Sequence, residues 1–144
     1  MLYFDTSYVV RLHSRDAGWE AVRKLAATDN VACCIHGQAE ATAAFHRKYR
    51  EGVISQKELG TVLAEFEKDC AAGAFQWLAM APAVVARVTK AFSVLPKAVY
   101  LRAADALHLA CAAENSFKEI YSNDVRLLGA AAHFGLKGIN VVGF

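Results

Sequence analysis

The sequence has no Cys-x-x-Cys pair, no long uncharged run and no strong excess of either charge, and each absence removes a class of protein. Its four cysteines, Cys33, Cys34, Cys70 and Cys111, include one adjacent pair and no metal-knuckle spacing. They fit neither a zinc site nor a disulfide framework, and read as reduced core residues of a cytosolic (cytoplasmic) protein. The longest uncharged stretch, residues 70–86, contains Gly73, Gln76 and Pro82. It falls short of the roughly 20 apolar residues that a membrane span requires. No basic segment followed by an apolar stretch and a small-residue cleavage site opens the chain, so no signal peptide is expected. Lys and Arg together number 16 and Asp and Glu 14, a formal net charge of +2 that permits a polyanionic partner without requiring one. Linkers, repeats and low-complexity segments are also missing.

What remains is a chain of 144 residues, 56% hydrophobic and 21% charged, long enough for one domain (residues 1–144) with a substantial core. That composition is not one of a disordered chain. Its organising stretch is Met1-Leu2-Tyr3-Phe4-Asp5-Thr6-Ser7. A run of apolar residues without alternation suits a strand covered on both faces, as in parallel α/β sheets, and ligand sites in such sheets lie beyond the strands' carboxyl ends. Asp5 stands at that point. It could equally be a plain helix cap for a turn or two of helix over Tyr8 to His13.

Four further strands and their intervening helices can be read in order. Asp16 can cap a helix to about Ala27 with Trp19, Val22 and Leu25 on one face. Val31 to Ile35 is a second apolar strand. A helix from Gly37 or Gln38 to Arg50 carries Glu40 early and His46-Arg47-Lys48-Tyr49-Arg50 late, a distribution that also suits the helix dipole. Ser55-Gln56-Lys57-Glu58 is a capping box, opening a helix striped with Leu59, Val62, Leu63 and Phe66. Phe75 to Met80 reads as the third strand, and Pro82 suits the first turn of a helix to about Phe92. Leu101 to Ala113 is helical and apolar nearly all round, with Asp105 its only carboxylate. A half-buried acid there needs a cation, and Arg102 one turn away or a bound metal would each serve. Glu119 to Ser122 is the fourth strand, delivering Ser122-Asn123-Asp124 to a helix start as the first strand delivers Asp5. Asn140-Val141-Val142 is expected as the fifth, edge strand.

With parallel strands and right-handed crossovers, Asp5, Glu40 and Asp124 emerge at one sheet edge and Asp105 can lean over it. Four acids without a matching set of cations repel unless divalent ions are present, and hard oxygen ligands select magnesium or manganese.

Leu2 to Ser7, Glu40 after the second strand, Leu101-Arg102-Ala103-Ala104-Asp105-Ala106-Leu107-His108-Leu109-Ala110 and Ser122-Asn123-Asp124, in this order and spacing, resemble a PIN-domain ribonuclease. The resemblance is to the VapC-type toxins of toxin–antitoxin pairs in particular, and it covers the whole chain. It implies a three-layer α/β/α fold on a central parallel five-stranded sheet of order 3-2-1-4-5. It implies an endoribonuclease dependent on Mg2+ or Mn2+, in which Asp5, Glu40, Asp105 and Asp124 are the catalytic and metal-binding set. Thr6 and Ser122 would support the acids, and Asn123 could compete with Asp124 for its role. Arg11, Arg15, Arg47, Lys48, Arg50 and Lys97 could hold RNA phosphates. The Leu59, Val62, Leu63 and Phe66 stripe with Tyr49 could dock an antitoxin or a second subunit, and a homodimer is expected from the family. The alternative is a PIN-like module that binds RNA or protein without catalysis. An aspartyl-phosphate phosphatase of the haloacid dehalogenase type would need a second Asp two residues after the first, where this chain has Ser7.

Overall fold

The computed structural model describes residues 1–143. In chain order its elements are β1 (Leu2–Tyr3), α1 (Thr6–Arg11), α2 (Trp19–Ala26), β2 (Val31–Cys34), α3 (His36–Arg50) and α4 (Gln56–Ala71). They are followed by β3 (Phe75–Leu78), α5 (Pro82–Val94), α6 (Ala103–Glu114), β4 (Glu119–Tyr121), α7 (Val125–Ala130) and β5 (Lys137–Ile139), with a 3-10 turn at Ala131–Phe134 before the last strand.

All four residues of β2 are buried, which is why they read as an unbroken apolar run. β1 pairs with β2 through Leu2 opposite Val31 and Tyr3 opposite Ala32, and β2 pairs with β3 from Val31 opposite Phe75 to Cys34 opposite Leu78, all in parallel. β4 and β5 are a second parallel pair. The strands therefore form sheets of three and two members, correcting the expectation of one continuous five-stranded sheet. The reason is local: β1 is two residues long because the chain turns into α1 at Asp5. Only one bridge, Phe4 to Tyr121, can join it to β4, extended by the Asp5 N–H donating to the Tyr121 carbonyl at 3.1 Å. Across that seam the expected succession of neighbours is kept.

Alternation along the first strand splits the core. Tyr3 faces Leu109, Ile120, Leu127 and Phe134 on the side of α5, α6 and α7. Phe4, the next residue, faces Tyr8, Val22, Phe45 and Phe66 on the side of α1 to α4. Two helical layers thus enclose the strands. The α4 stripe belongs to this second layer: Phe66 is buried and Leu59, Val62 and Leu63 pack against its cluster, so the stripe is a core face.

The Ser55 capping box forms in both directions at 3.1 Å, and Pro82 opens α5. Two boundaries differ from expectation. Asp16 caps no helix; its carboxylate pairs with Lys48, and α2 starts after Gly18, whose φ of 82° suits glycine and whose Cβ would lie 2.4 Å from Val142 Cγ1. The last strand is Lys137–Ile139, not Asn140-Val141-Val142. Gly138 lets it close on Leu128, where a Cβ would meet Cδ2 at 2.8 Å, while Asn140 turns its side chain back to accept from the Tyr8 hydroxyl at 3.1 Å. β3 also ends earlier, at Leu78, and α3 begins earlier, at His36.

The first turn of α3 lies so close to the strands that a Cβ on Gly37 would sit 2.5 Å from Cys33 Sγ and 3.3 Å from His108 Cε1. Gly37→Ala is therefore expected to destabilise the fold by about 1–3 kcal/mol, the usual cost of overpacking. Denaturant melts of the two proteins measure it, and an unchanged midpoint would show that α3 can move away freely.

Candidate active site

Asp5 leaves β1 in an extended conformation and caps α1: its Oδ1 accepts from the Tyr8 N–H at 3.2 Å and the Ser7 hydroxyl at 2.6 Å. Its Oδ2 accepts from the Ser122 hydroxyl at 2.5 Å. The residue is 4% exposed, and all three donors are uncharged. Burial is the largest influence on its titration and pushes its pKa up. The positive potential of His108 and the bonds from Ser122, Ser7 and Tyr8 offset this only in part. Capping and a site role are thus compatible in one carboxylate.

The other acids reach the same place from three helices. Glu40 comes from the second turn of α3, Asp105 from the first turn of α6, and Asp124 caps α7 by accepting from the N–H groups of Arg126 (2.8 Å) and Leu127 (3.1 Å). With Asp5 they line a cleft of about 570 Å³. Asn123 is turned the other way, its Oδ1 accepting from Arg11 at 3.3 Å. Arg102 lies between two of the acids, donating from Nε to Asp105 Oδ2 at 3.1 Å, with a terminal nitrogen 3.6 Å from Asp124 Oδ2. Its side chain is 59% exposed, so this countercharge is screened and displaceable. Four carboxylates, one of them buried among neutral donors, share a single exposed guanidinium across two of their number. This donor set suits magnesium or manganese, which prefer anionic oxygen.

Around Glu40, beside Thr6, expected to support the acids, the site holds His36, His108 and Tyr3, to which sequence reasoning gave no role. Thr6 donates to Glu40 Oε1 at 2.8 Å, and His108 Nε2 lies 2.8 Å from that oxygen and 3.0 Å from Thr6 Oγ1. The opposite nitrogen of His108 is 3.0 Å from the Tyr3 hydroxyl, which accepts the Cys34 N–H at 3.1 Å. His36 Nε2 is 3.3 Å from the same Glu40 oxygen. Burial alone would raise the Glu40 pKa, but the bonds from His108 and Thr6 and the potential of both imidazoles prevail and lower it. The available signal was a buried histidine inside an apolar helix and a phenol inside an apolar strand: neither can be left without partners.

The sequence matches the PIN domain family over residues 2–132. The chain belongs to that family. No functionally curated protein matches it. Among solved structures, this PIN domain is similar to Mycobacterium tuberculosis VapC20, a sarcin–ricin loop cleaving toxin. The TM-score is 0.67 and the identity 15%, over 90% of this chain and 95% of that one. It is similar to FitAB bound to the IR36 DNA fragment, with a TM-score of 0.73 and 16% identity over 100% and 97%. It is also similar to Rickettsia felis VapBC2 bound to a DNA fragment from its promoter, with a TM-score of 0.68 and 14% identity over 97% and 98%. At these identities the likeness is one of fold.

The six basic candidates of the PIN domain divide by position. Arg47 and Lys48 line the cleft, paired respectively with Glu51 at 2.8 Å and with Asp16. Arg11 also borders it but is buried, donating to the carbonyls of Ser7 and Ala17 at 2.9 Å and to Asn123. Arg15 lies over the Trp19 ring at 5.6 Å, and neither it nor Arg50 nor Lys97 lines the cleft. A further cation, Arg126, two residues after Asp124, stacks at 4.1 Å on Tyr100, which is 59% exposed.

The raised pKa of Asp5 gives a signed expectation. A folded value above the unfolded one favours the protonated form. That stabilisation is complete below the unfolded pKa and is lost as pH rises through the folded one. In chelator, wild-type protein should therefore lose thermal stability as pH rises above the ordinary carboxylate range, and Asp5→Asn should not. Manganese at neutral pH should restore the loss in wild type alone. Parallel pH profiles for the two proteins in thermal melts would remove Asp5 as the strained charge.

Proposed function

We propose that this PIN domain is a divalent-metal-dependent endoribonuclease that hydrolyses RNA phosphodiester bonds, acting as the toxin of a type II toxin–antitoxin pair. The reading rests above all on the convergence of Asp5, Glu40, Asp105 and Asp124 on one open cleft, with Asp5 buried among neutral donors. PIN domains are typically nucleases, and the likeness to a VapC20 toxin and to the FitAB and VapBC2 assemblies supports RNA as substrate and an antitoxin as partner. A second copy of this chain is proposed as well, from the family.

Magnesium or manganese held by the four acids would acidify a water and polarise the scissile phosphate. The remaining work falls to the chain. Ser7, Ser122 and the Tyr8 amide fix both oxygens of Asp5, so its carboxylate is set before any ligand arrives. Thr6 and His108 hold Glu40 ionised, the form a cation ligand needs. Arg102 would yield Asp105 and Asp124 to a bound cation, and its guanidinium, already at the surface, would then be free to pair with the RNA backbone. Arg47 and Lys48 extend that positive rim, and the exposed Tyr100 ring with Arg126 offers a face on which an unpaired base can stack. The mature products are a 5′-phosphate and a 3′-hydroxyl.

One observation favours the second reading, a binding module without catalysis: Arg102 satisfies Asp105 and Asp124 without any metal. Cleavage of a single-stranded RNA panel separates the two. With manganese or magnesium present, wild type should cut, and Asp5→Asn and Asp105→Asn should lose at least about 100-fold while retaining the wild-type circular dichroism. Ser122→Ala, which removes one donor to Asp5, should cost about 10–100-fold. Full activity in either Asn variant would refute the mechanism, and an inert wild type that still binds RNA would establish the module.

A further inference from the structure

We propose that His36, Glu40 and His108 form a second cation site, suited to a transition ion of the zinc class, which shares Glu40 with the acidic set and replaces Asp5, Asp105 and Asp124 by two imidazoles. His36 and Glu40 are one turn apart on α3, and His108 reaches them from α6, so the site clamps two helices from opposite layers of the fold. Two imidazole nitrogens converge on a single oxygen: His108 Nε2 is 2.8 Å and His36 Nε2 3.3 Å from Glu40 Oε1. The ring centroids are 4.2 Å apart, and the three ligand atoms lie within 4.8 Å of one another. Bonds of about 2.0–2.1 Å in a tetrahedral site separate neighbouring donors by about 3.4 Å. Glu40 already stands at that spacing from His36, at 3.3 Å, and needs to open from 2.8 Å to reach it from His108.

Hydrogen bonding alone serves this cluster poorly. Glu40 Oε1 faces three potential donors, Thr6, His108 and His36, more than its lone pairs can accept in good geometry. His36 Nδ1 is buried without a hydrogen bond, while its Nε2 lies 3.0 Å from the Ala104 carbonyl. Ligation resolves both faults. A cation takes the place of the crowded protons, and each ring then carries its remaining proton on Nδ1. For His108 that proton points to the Tyr3 hydroxyl at 3.0 Å, the outer support that ligating histidines usually have. For His36 it moves to Nδ1, on the side of the ring where the Cys34 thiol can take it up. Because Glu40 and His108 line the cleft, the ion has a path in and a water can complete its coordination. Two nitrogens and one carboxylate select zinc, cobalt or nickel over magnesium.

Glu40 also belongs to the acidic set, so an ion captured here withdraws it from RNA hydrolysis. Zinc is then an inhibitor of this enzyme; this consequence rests on the nuclease reading, whereas the site itself does not. Cobalt is the probe. Full-length protein stripped of metal should take up one equivalent of Co2+ with the visible d–d bands of a four-coordinate site, and zinc should displace it. His36→Ala, at the half-buried start of α3, should weaken uptake at least about tenfold, with folding checked by circular dichroism. His108→Gln is the second ligand variant, and Asp124→Asn should leave the bands unchanged. Absence of the bands in wild type, or their survival in His36→Ala with loss in Asp124→Asn, overturns the site. In an RNA cleavage assay with excess magnesium, zinc should inhibit wild type and spare His36→Ala. Equal inhibition of both, or none of either with the bands present, overturns the regulatory role while leaving the nuclease reading intact.

Discussion

A carboxylate taken out of water needs donors or countercharge on every side, and Asp5 has three neutral donors drawn from both ends of the chain. Much of the architecture follows from meeting that need. The first strand is cut to two residues so that the chain can turn and offer the Tyr8 amide. The fourth strand must end beside it so that Ser122 can reach the second oxygen. The same shortening divides the strands into two sheets, because β1 has no length left over which to pair with β4. The break in the sheet and the charge in the cleft are one decision seen from two sides.

A second set of contacts ties the helices to this centre. Thr6 on α1, Glu40 on α3 and His108 on α6 meet within hydrogen-bond distance, with Tyr3 of β1 behind the imidazole. Those elements belong to the two sides of the core, Tyr3 and Leu109 of β1 and α6 on one and Val9 and Phe45 of α1 and α3 on the other. The polar junction fixes their register where apolar packing, which is tolerant of small slides, would not.

The strands and helices were legible because their apolar periods are unambiguous: β2 is buried at every residue, α4 carries a complete capping box and Pro82 marks the first turn of α5. The ends were harder, for tertiary reasons. Asp16 has the side chain of a cap, yet Lys48, 32 positions away, claims it. The last strand was expected at Asn140-Val141-Val142, but the missing side chain of Gly138 is what admits β5 against Leu128. In the site, the carboxylates stood out as lone charges in apolar surroundings. The histidines did not, since nothing in the local sequence tells that His36 and His108 face each other. Arg11 was likewise indistinguishable from a surface cation until its three acceptors were seen.

The seam between the sheets has a consequence for the order in which the molecule comes into being. Asp5 and Ser122 are separated by 117 positions, yet their side chains share a hydrogen bond across it. A nascent chain emerges amino terminus first, so Asp5 leaves the ribosome well ahead of Ser122 and waits through those intervening positions before its last donor appears. Until then the cleft has one wall. Whatever chemistry the completed wall supports is therefore withheld from any translation product that stops short of Ser122, a form of timing that requires no additional regulator.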